Sequence, residues 1–175
     1  MSNLILVDRL YEDDNALECV IAYCLNVNRY HLDKFNNNIE YYCFGVNQLS
    51  PKHIIDSMVA IKRIYHKEDG KQLHHIVLGI YQSFDFGVEH RKKWASLIAW
   101  DIGYYIYEKG YQNIVAIHIR YDGYVHFHII LNSVNYAIGK KLTNLKEFVN
   151  DINQFLKSNY QNLKWNNIYF NRENI

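Results

Sequence analysis

The chain has 175 residues, 49% of them hydrophobic and 21% charged, with a formal net charge of +1 at pH 7. That length suits one domain whose core needs no disulfide or metal staple, and the apolar content excludes an intrinsically disordered chain. The near-neutral balance excludes a globally basic nucleic-acid binder, so attraction to phosphate has to come from local clusters.

The opening MSNLILVDRL holds a four-residue apolar run ended by Asp8 and Arg9. It is too short for a signal segment or a bilayer span, which implies a soluble, cytoplasmic protein without a membrane segment. Cys19, Cys24 and Cys43 are odd in number and lack C-x-x-C spacing, as expected of reduced thiols. From Asn15 to Leu25 the apolar positions Ala16, Leu17, Val20, Ile21 and Cys24 keep a helical period, and the polar stretch from Asn26 to Glu40 reads as a loop. A strand is expected near Tyr41 to Val46. Ser50-Pro51 then supplies an N-cap and a proline at the first helical position, ahead of Ile54, Ile55, Met58, Ile61, Ile64 and Tyr65. His74 to Tyr81 reads as a strand, Glu89 to Glu108 as a long helix stopped by Gly110, and Asn113 to Arg120 and Val125 to Ser133 as two strands around Asp122-Gly123. Asn144 with Glu147 three residues on starts a last helix running to about Tyr160. This order predicts an α+β single domain with a largely antiparallel central sheet and flanking helices.

Inside the last predicted strand, VHFHIILN places His126 and His128 on one face, because residues two apart on a strand point the same way. His118, on the preceding strand, joins them or not according to the hairpin loop. A two-residue Asp122-Gly123 turn would set His118 opposite Phe127 and scatter the imidazoles. A three-residue loop, Asp122-Gly123-Tyr124, would pair Arg120 with His126 and His118 with His128, gathering all three on one face; this is the register expected. Three imidazoles on two strands can hold a divalent ion with positions left open, as a catalytic site requires.

These residues resemble the conjugative relaxases, the MobP-like mobilisation nucleases of the HUH endonuclease superfamily. The likeness runs through YCLN at Tyr23, FGVNQLSPKHIIDSMVAIKRIYHKEDGKQLHHIVLGI, and AIHIRYDGYVHFHIILNSVNYAIGKK, and so covers most of the chain. The resemblance implies a relaxase domain over residues 1–175 with a palm or ferredoxin-like core. It implies nicking and rejoining of one DNA strand at an origin of transfer of a plasmid or mobile element. Tyr23 would be the nucleophile and remain linked to the new 5′ end, Asp122 would orient an imidazole or help take the phenol's proton, and His118, His126 and His128 would ligate Mg²⁺ or Mn²⁺. Implied partners are single-stranded DNA and accessory relaxosome proteins. A phenol with a pKa of about 10 needs such help to attack at neutral pH. Tyr30, Tyr41 and Tyr42 are the other candidate nucleophiles.

Basic clusters at Lys140 and Lys141, at Arg91, Lys92 and Lys93, and at Lys62 and Arg63, together with Arg120 and Asn132, are the candidate DNA contacts. Three features depart from the family pattern. The interval from His118 to His126 is one residue longer, Gly79 stands where a DNA-touching serine is common, and the chain stops after a nuclease-sized core, as in a minimal mobilisation enzyme or a shortened form of a longer one. Two related readings remain: a rolling-circle replication initiator or single-tyrosine transposase, for which Tyr160 is the residue to examine, and a noncatalytic DNA-binding accessory protein. A histidine-triad nucleotide hydrolase fails because Ile130 occupies the place of its third histidine.

Overall fold

Val125, Phe127, Ile129 and Leu131 alternate with His126, His128 and Ile130. A strand with apolar groups on both faces has to be covered on both. A computed structural model of the chain describes residues 2–7, 10–36, 38–81, 88–120, 124–161 and 169–171, and meets that requirement. The elements in chain order are β1 (Ser2–Val7), α1 (Ala16–Cys24), β2 (Glu40–Phe44), α2 (Pro51–Ile64), β3 (Leu73–Tyr81), α3 (Val88–Glu108), β4 (Asn113–Ile119), β5 (Tyr124–Asn132), α4 (Leu145–Asn159) and β6 (Tyr169–Asn171). They form a six-stranded sheet in the order β2-β4-β5-β3-β1-β6. All neighbours are antiparallel except the edge pair β1 and β6. The α+β class with a largely antiparallel sheet is therefore the observed one.

The pleat sorts the side chains into two layers. Ile76, Leu78, Val115, Phe127 and Ile129 pack on one face against α3 and α4, through Ile98, Ile102, Val149 and Ile152. Leu73, Ile114, Ala116 and Ile130 pack on the other against α1 and α2, through Leu17, Ile21, Ile54 and Met58. Each fully buried aliphatic side chain of this size contributes about 1.5–3 kcal/mol, so β4 and β5 are clamped from both sides and make a stiff platform.

The helix ends follow the sequence signals. Ser50 is extended, with a side-chain oxygen accepting the His53 N–H, and Pro51 is the first residue of α2. Asn144 accepts the Glu147 N–H at 3.2 Å and donates to the Glu147 carboxylate at 2.6 Å. Gly110 has φ +92° just past α3, a left-handed conformation that favours glycine. β1 and β6 are absent from the predicted order. The apolar run in β1 becomes a strand by pairing with β3, Leu4 opposite Leu78, and that partner lies too far along the chain for a local pattern to reveal. None of the described helices is long and apolar enough to cross a membrane.

Candidate metal centre

In the β4/β5 pair, His118 lies opposite His126 and Ala116 opposite His128. The Arg120 N–H donates to the Tyr124 carbonyl at 2.9 Å, which leaves residues 121–123 between the closing pair. The expected register is therefore corrected by two residues: His118 faces His126, not His128, and Arg120 faces Tyr124, not His126. A one-residue slip would have turned one strand over, whereas a two-residue slip preserves every facing, because the pleat repeats every two residues. The three imidazoles accordingly meet. Their ring centroids lie 5.0 Å (118 to 126), 4.7 Å (118 to 128) and 5.1 Å (126 to 128) apart. One ligand atom from each lies within 4.8 Å of the others. Asp122 falls outside the described residues.

The nitrogens are disposed for an ion. His118 Nε2 lies 2.7 Å from the Cys24 carbonyl. A carbonyl can only accept, so Nε2 carries the proton and a neutral ring keeps its lone pair on Nδ1. His126 Nδ1 and His128 Nε2 are buried with no hydrogen-bond partner. Such atoms are costly unless something pairs them. Burial first, and then His118 and Arg120, push His126 down to about 4. Burial, and then His75, His118 and His126, push His128 down to about 3. Both rings are thus neutral at pH 7 and carry the free lone pair that ligation needs. Three imidazoles without a carboxylate suit Mn²⁺ or a later transition ion better than Mg²⁺, which prefers oxygen.

The same burial predicts acid sensitivity. His74, on the opposite face of β3, is also lowered to about 3, by burial and then by Lys71. Folded values below the unfolded value of about 6.5 mean that the unfolded chain takes up protons first, so stability is lost as pH falls from 6.5 towards 3. His74 and His128 are 3% and 4% exposed, and together they should make the ion-free protein about 2–4 kcal/mol less stable at pH 5 than at pH 7. Urea unfolding in the presence of chelator measures this; equal stability at the two pH values would mean that the rings are charged in the fold.

Tyr23 lies in the last turn of α1 and is 65% exposed. Its neighbours Ile21, Cys24 and Leu25 are buried against the sheet, which fixes the helix end. The Tyr23 ring stands edge-on to His128 with centroids 5.4 Å apart. Tyr23, His128, His75, Tyr11 and Cys19 line a cavity of about 750 Å³. A second cavity, of about 920 Å³, is lined by His118, His126, Arg91, Lys92, Arg120 and Glu40. The histidines thus join a phenol-bearing cavity to a basic one.

The other sequence candidates separate. Arg91, Lys92 and Arg120 come together with the histidines in the second cavity. Lys141, beyond the far end of β5, bridges through Val134 and donates to the Asp69 carbonyl, and the neighbouring Lys140 is exposed there. Asn132 is fully buried and donates to the Met58 carbonyl and to Gln112. Lys62 is 1% exposed, not on a solvated basic face, and burial with Lys141 nearby lowers it to about 7. Tyr160 donates to Asp101 and packs on the face away from the histidines. Tyr30 is paired with Arg29, and Tyr41 stacks on Phe35 at 4.7 Å.

Gly79 pairs with His126 across β3 and β5. A Cβ there would collide with the Tyr124 hydroxyl. Tyr124 therefore lays its hydroxyl over the glycine, with its ring stacked against His126 at 5.8 Å. Sequence reasoning also missed His75 and Tyr11. His75 Nε2 is 2.9 Å from His128 Nδ1, and the Tyr11 hydroxyl is 3.3 Å from His75 Nδ1. The signal for His75 was the His74-His75 doublet in a strand, whose second member shares the face of Gly79.

A family model of a relaxase, the MobA/VirD2-like nuclease domain, matches residues 23–162. Comparison with curated proteins gave no match, and comparison with solved structures gave none.

Proposed function

We propose, for a chain that belongs to the MobA/VirD2-like relaxase nuclease family, that it is a metal-dependent, strand-specific nickase and ligase that opens single-stranded DNA at an origin of transfer. The observation that carries this reading is the exposed phenol of Tyr23, its ring 5.4 Å from that of His128 in the three-histidine cluster. Residues 1–175 act as one relaxase domain in this reading. It works in the cytoplasm on a plasmid or integrative element, with accessory relaxosome proteins as partners.

His118, His126 and His128 would hold the ion, Mn²⁺ on the donor chemistry, or Mg²⁺. When bound, the ion supplies positive charge beside the nonbridging phosphate oxygens and favours the phenolate. The Tyr23 oxygen attacks the scissile phosphorus, the bond to the 3′ oxygen breaks, that oxygen takes a proton from solvent, and the products are a free 3′ hydroxyl and a 5′ phosphotyrosine. Asp122 is the proposed acceptor of the phenol's proton. Arg91, Lys92 and Arg120 hold the incoming backbone, and attack by a 3′ hydroxyl on the phosphotyrosine rejoins the strand with no external energy source. The pairing of the half-buried Tyr160 with Asp101, on the face away from the histidines, weighs against a nucleophile that follows the histidines, as in a single-tyrosine transposase.

Single-stranded oligonucleotides spanning the origin of transfer of the protein's own element, incubated with the protein and Mn²⁺, should give a protein–DNA adduct that survives denaturation. Chelator should abolish it. Binding without any adduct would favour the noncatalytic accessory reading.

A further inference from the structure

Directly after Tyr23, Cys24 ends α1 with its side chain turned into the fold, fully buried. Its Sγ lies 3.9 Å from His75 Nε2, and that nitrogen lies 2.9 Å from His128 Nδ1. One donor atom from each of Cys24, His75 and His128 falls within 4.8 Å of the other two, and all three residues are buried. Around a tetrahedral zinc, with bonds of about 2.3 Å to sulfur and about 2.0 Å to nitrogen, neighbouring donors sit about 3.3–3.6 Å apart. The observed spacings bracket that range. Tyr11 supplies an outer partner on His75 Nδ1 at 3.3 Å, the position from which ligating imidazoles are usually oriented. The cavity that reaches His75 and His128 gives an entry path.

We infer that Cys24, His75 and His128 form a second metal site, for a soft divalent ion such as Zn²⁺, and that its filling withdraws His128 from the three-histidine cluster. Thiolate and imidazole donors select such ions over Mg²⁺ and Mn²⁺. The proton balance is simple. The Cys24 thiol gives its proton to solvent as the sulfur–metal bond forms. In the described arrangement, a metal on His128 Nε2 requires the proton on Nδ1, and a metal on Nδ1 requires it on Nε2. A neutral imidazole has one free lone pair, so His128 serves one ion at a time. Only the consequence for cleavage, inhibition of the nickase by zinc, rests on the functional reading above; the site and its competition with Mn²⁺ do not.

Cobalt(II) tests this without DNA. Titrated into the ion-free protein, Co²⁺ should give an intense near-ultraviolet sulfur-to-cobalt charge-transfer band at one equivalent. The band should persist in His118→Ala and in Cys19→Ser, and vanish in Cys24→Ser. One equivalent of Zn²⁺ should erase it and weaken Mn²⁺ binding, followed by electron paramagnetic resonance, at least tenfold. A wild-type protein without the band, or a band that survives Cys24→Ser, overturns the site. A band with Mn²⁺ affinity unchanged by zinc overturns the sharing of His128. All these outcomes can be read on protein that shows no nicking at all, so they stand apart from the test of the nickase.

Discussion

Replacing Tyr23 with phenylalanine is expected to eliminate the covalent DNA adduct and to lower strand cleavage by roughly 10³-fold or more, equivalent to about 4 kcal/mol of transition-state stabilisation. The substitution removes one oxygen from a side chain that is 65% exposed. It leaves the ring able to keep its edge-on approach to His128, so the fold and the affinity for single strands should stay within about twofold. That separation is diagnostic. A tyrosine that only packed or stacked on a base would keep both binding and cleavage in this variant, because phenylalanine retains the ring, whereas a nucleophile loses cleavage alone. Gel detection of the adduct, with fluorescence anisotropy on the same oligonucleotide, measures both. Cleavage retained in Tyr23→Phe would move the nucleophile to another phenol.

His126→Ala is expected to weaken Mn²⁺ binding by at least about 100-fold, with cleavage falling in parallel at fixed Mn²⁺. Even partners outside the ligand set typically cost 10–100-fold when lost, and His126 is assigned as a ligand itself. It belongs to the three-histidine cluster and not to the cysteine-containing one, so it reports on the former without disturbing the latter. Raising the Mn²⁺ concentration should restore part of the rate, because two imidazoles remain. A structural role would show no such rescue. Calorimetric titration of Mn²⁺ and single-turnover cleavage across a range of Mn²⁺ concentrations decide the matter; unchanged affinity would remove His126 from the ligand set.

The convergence of the histidines was legible because it depends on parity alone. Residues two apart share a face whatever the register, so a hairpin displaced by two residues still gathers His118, His126 and His128. Helix starts were legible for a similar reason, since the signals at Ser50-Pro51 and at Asn144 with Glu147 act within a single turn. Long-range pairing was not legible. β1 exists through its partner β3, and the Cys24, His75 and His128 cluster exists because α1, β3 and β5 meet in space. The basic residues divided on burial, which charge in a sequence does not report. Arg91, Lys92 and Arg120 line the histidine cavity, while Lys62 is enclosed and Lys141 is tied to a carbonyl near the far end of the sheet. Nor does a local motif report that the amide of Asn132 cross-links the core.

The most direct test of the account is the identity of the residue that DNA is joined to. The adduct formed with Mn²⁺ should be digested with protease and nuclease and its nucleotide-bearing peptide sequenced by mass spectrometry. On this account the nucleotide should sit in a phosphodiester link to the Tyr23 oxygen, and at fixed, low Mn²⁺ the adduct yield should fall sharply when His118, His126 or His128 is replaced. A nucleotide on Tyr30, Tyr41 or Tyr160, or an adduct that forms equally well after loss of the histidines, would contradict it.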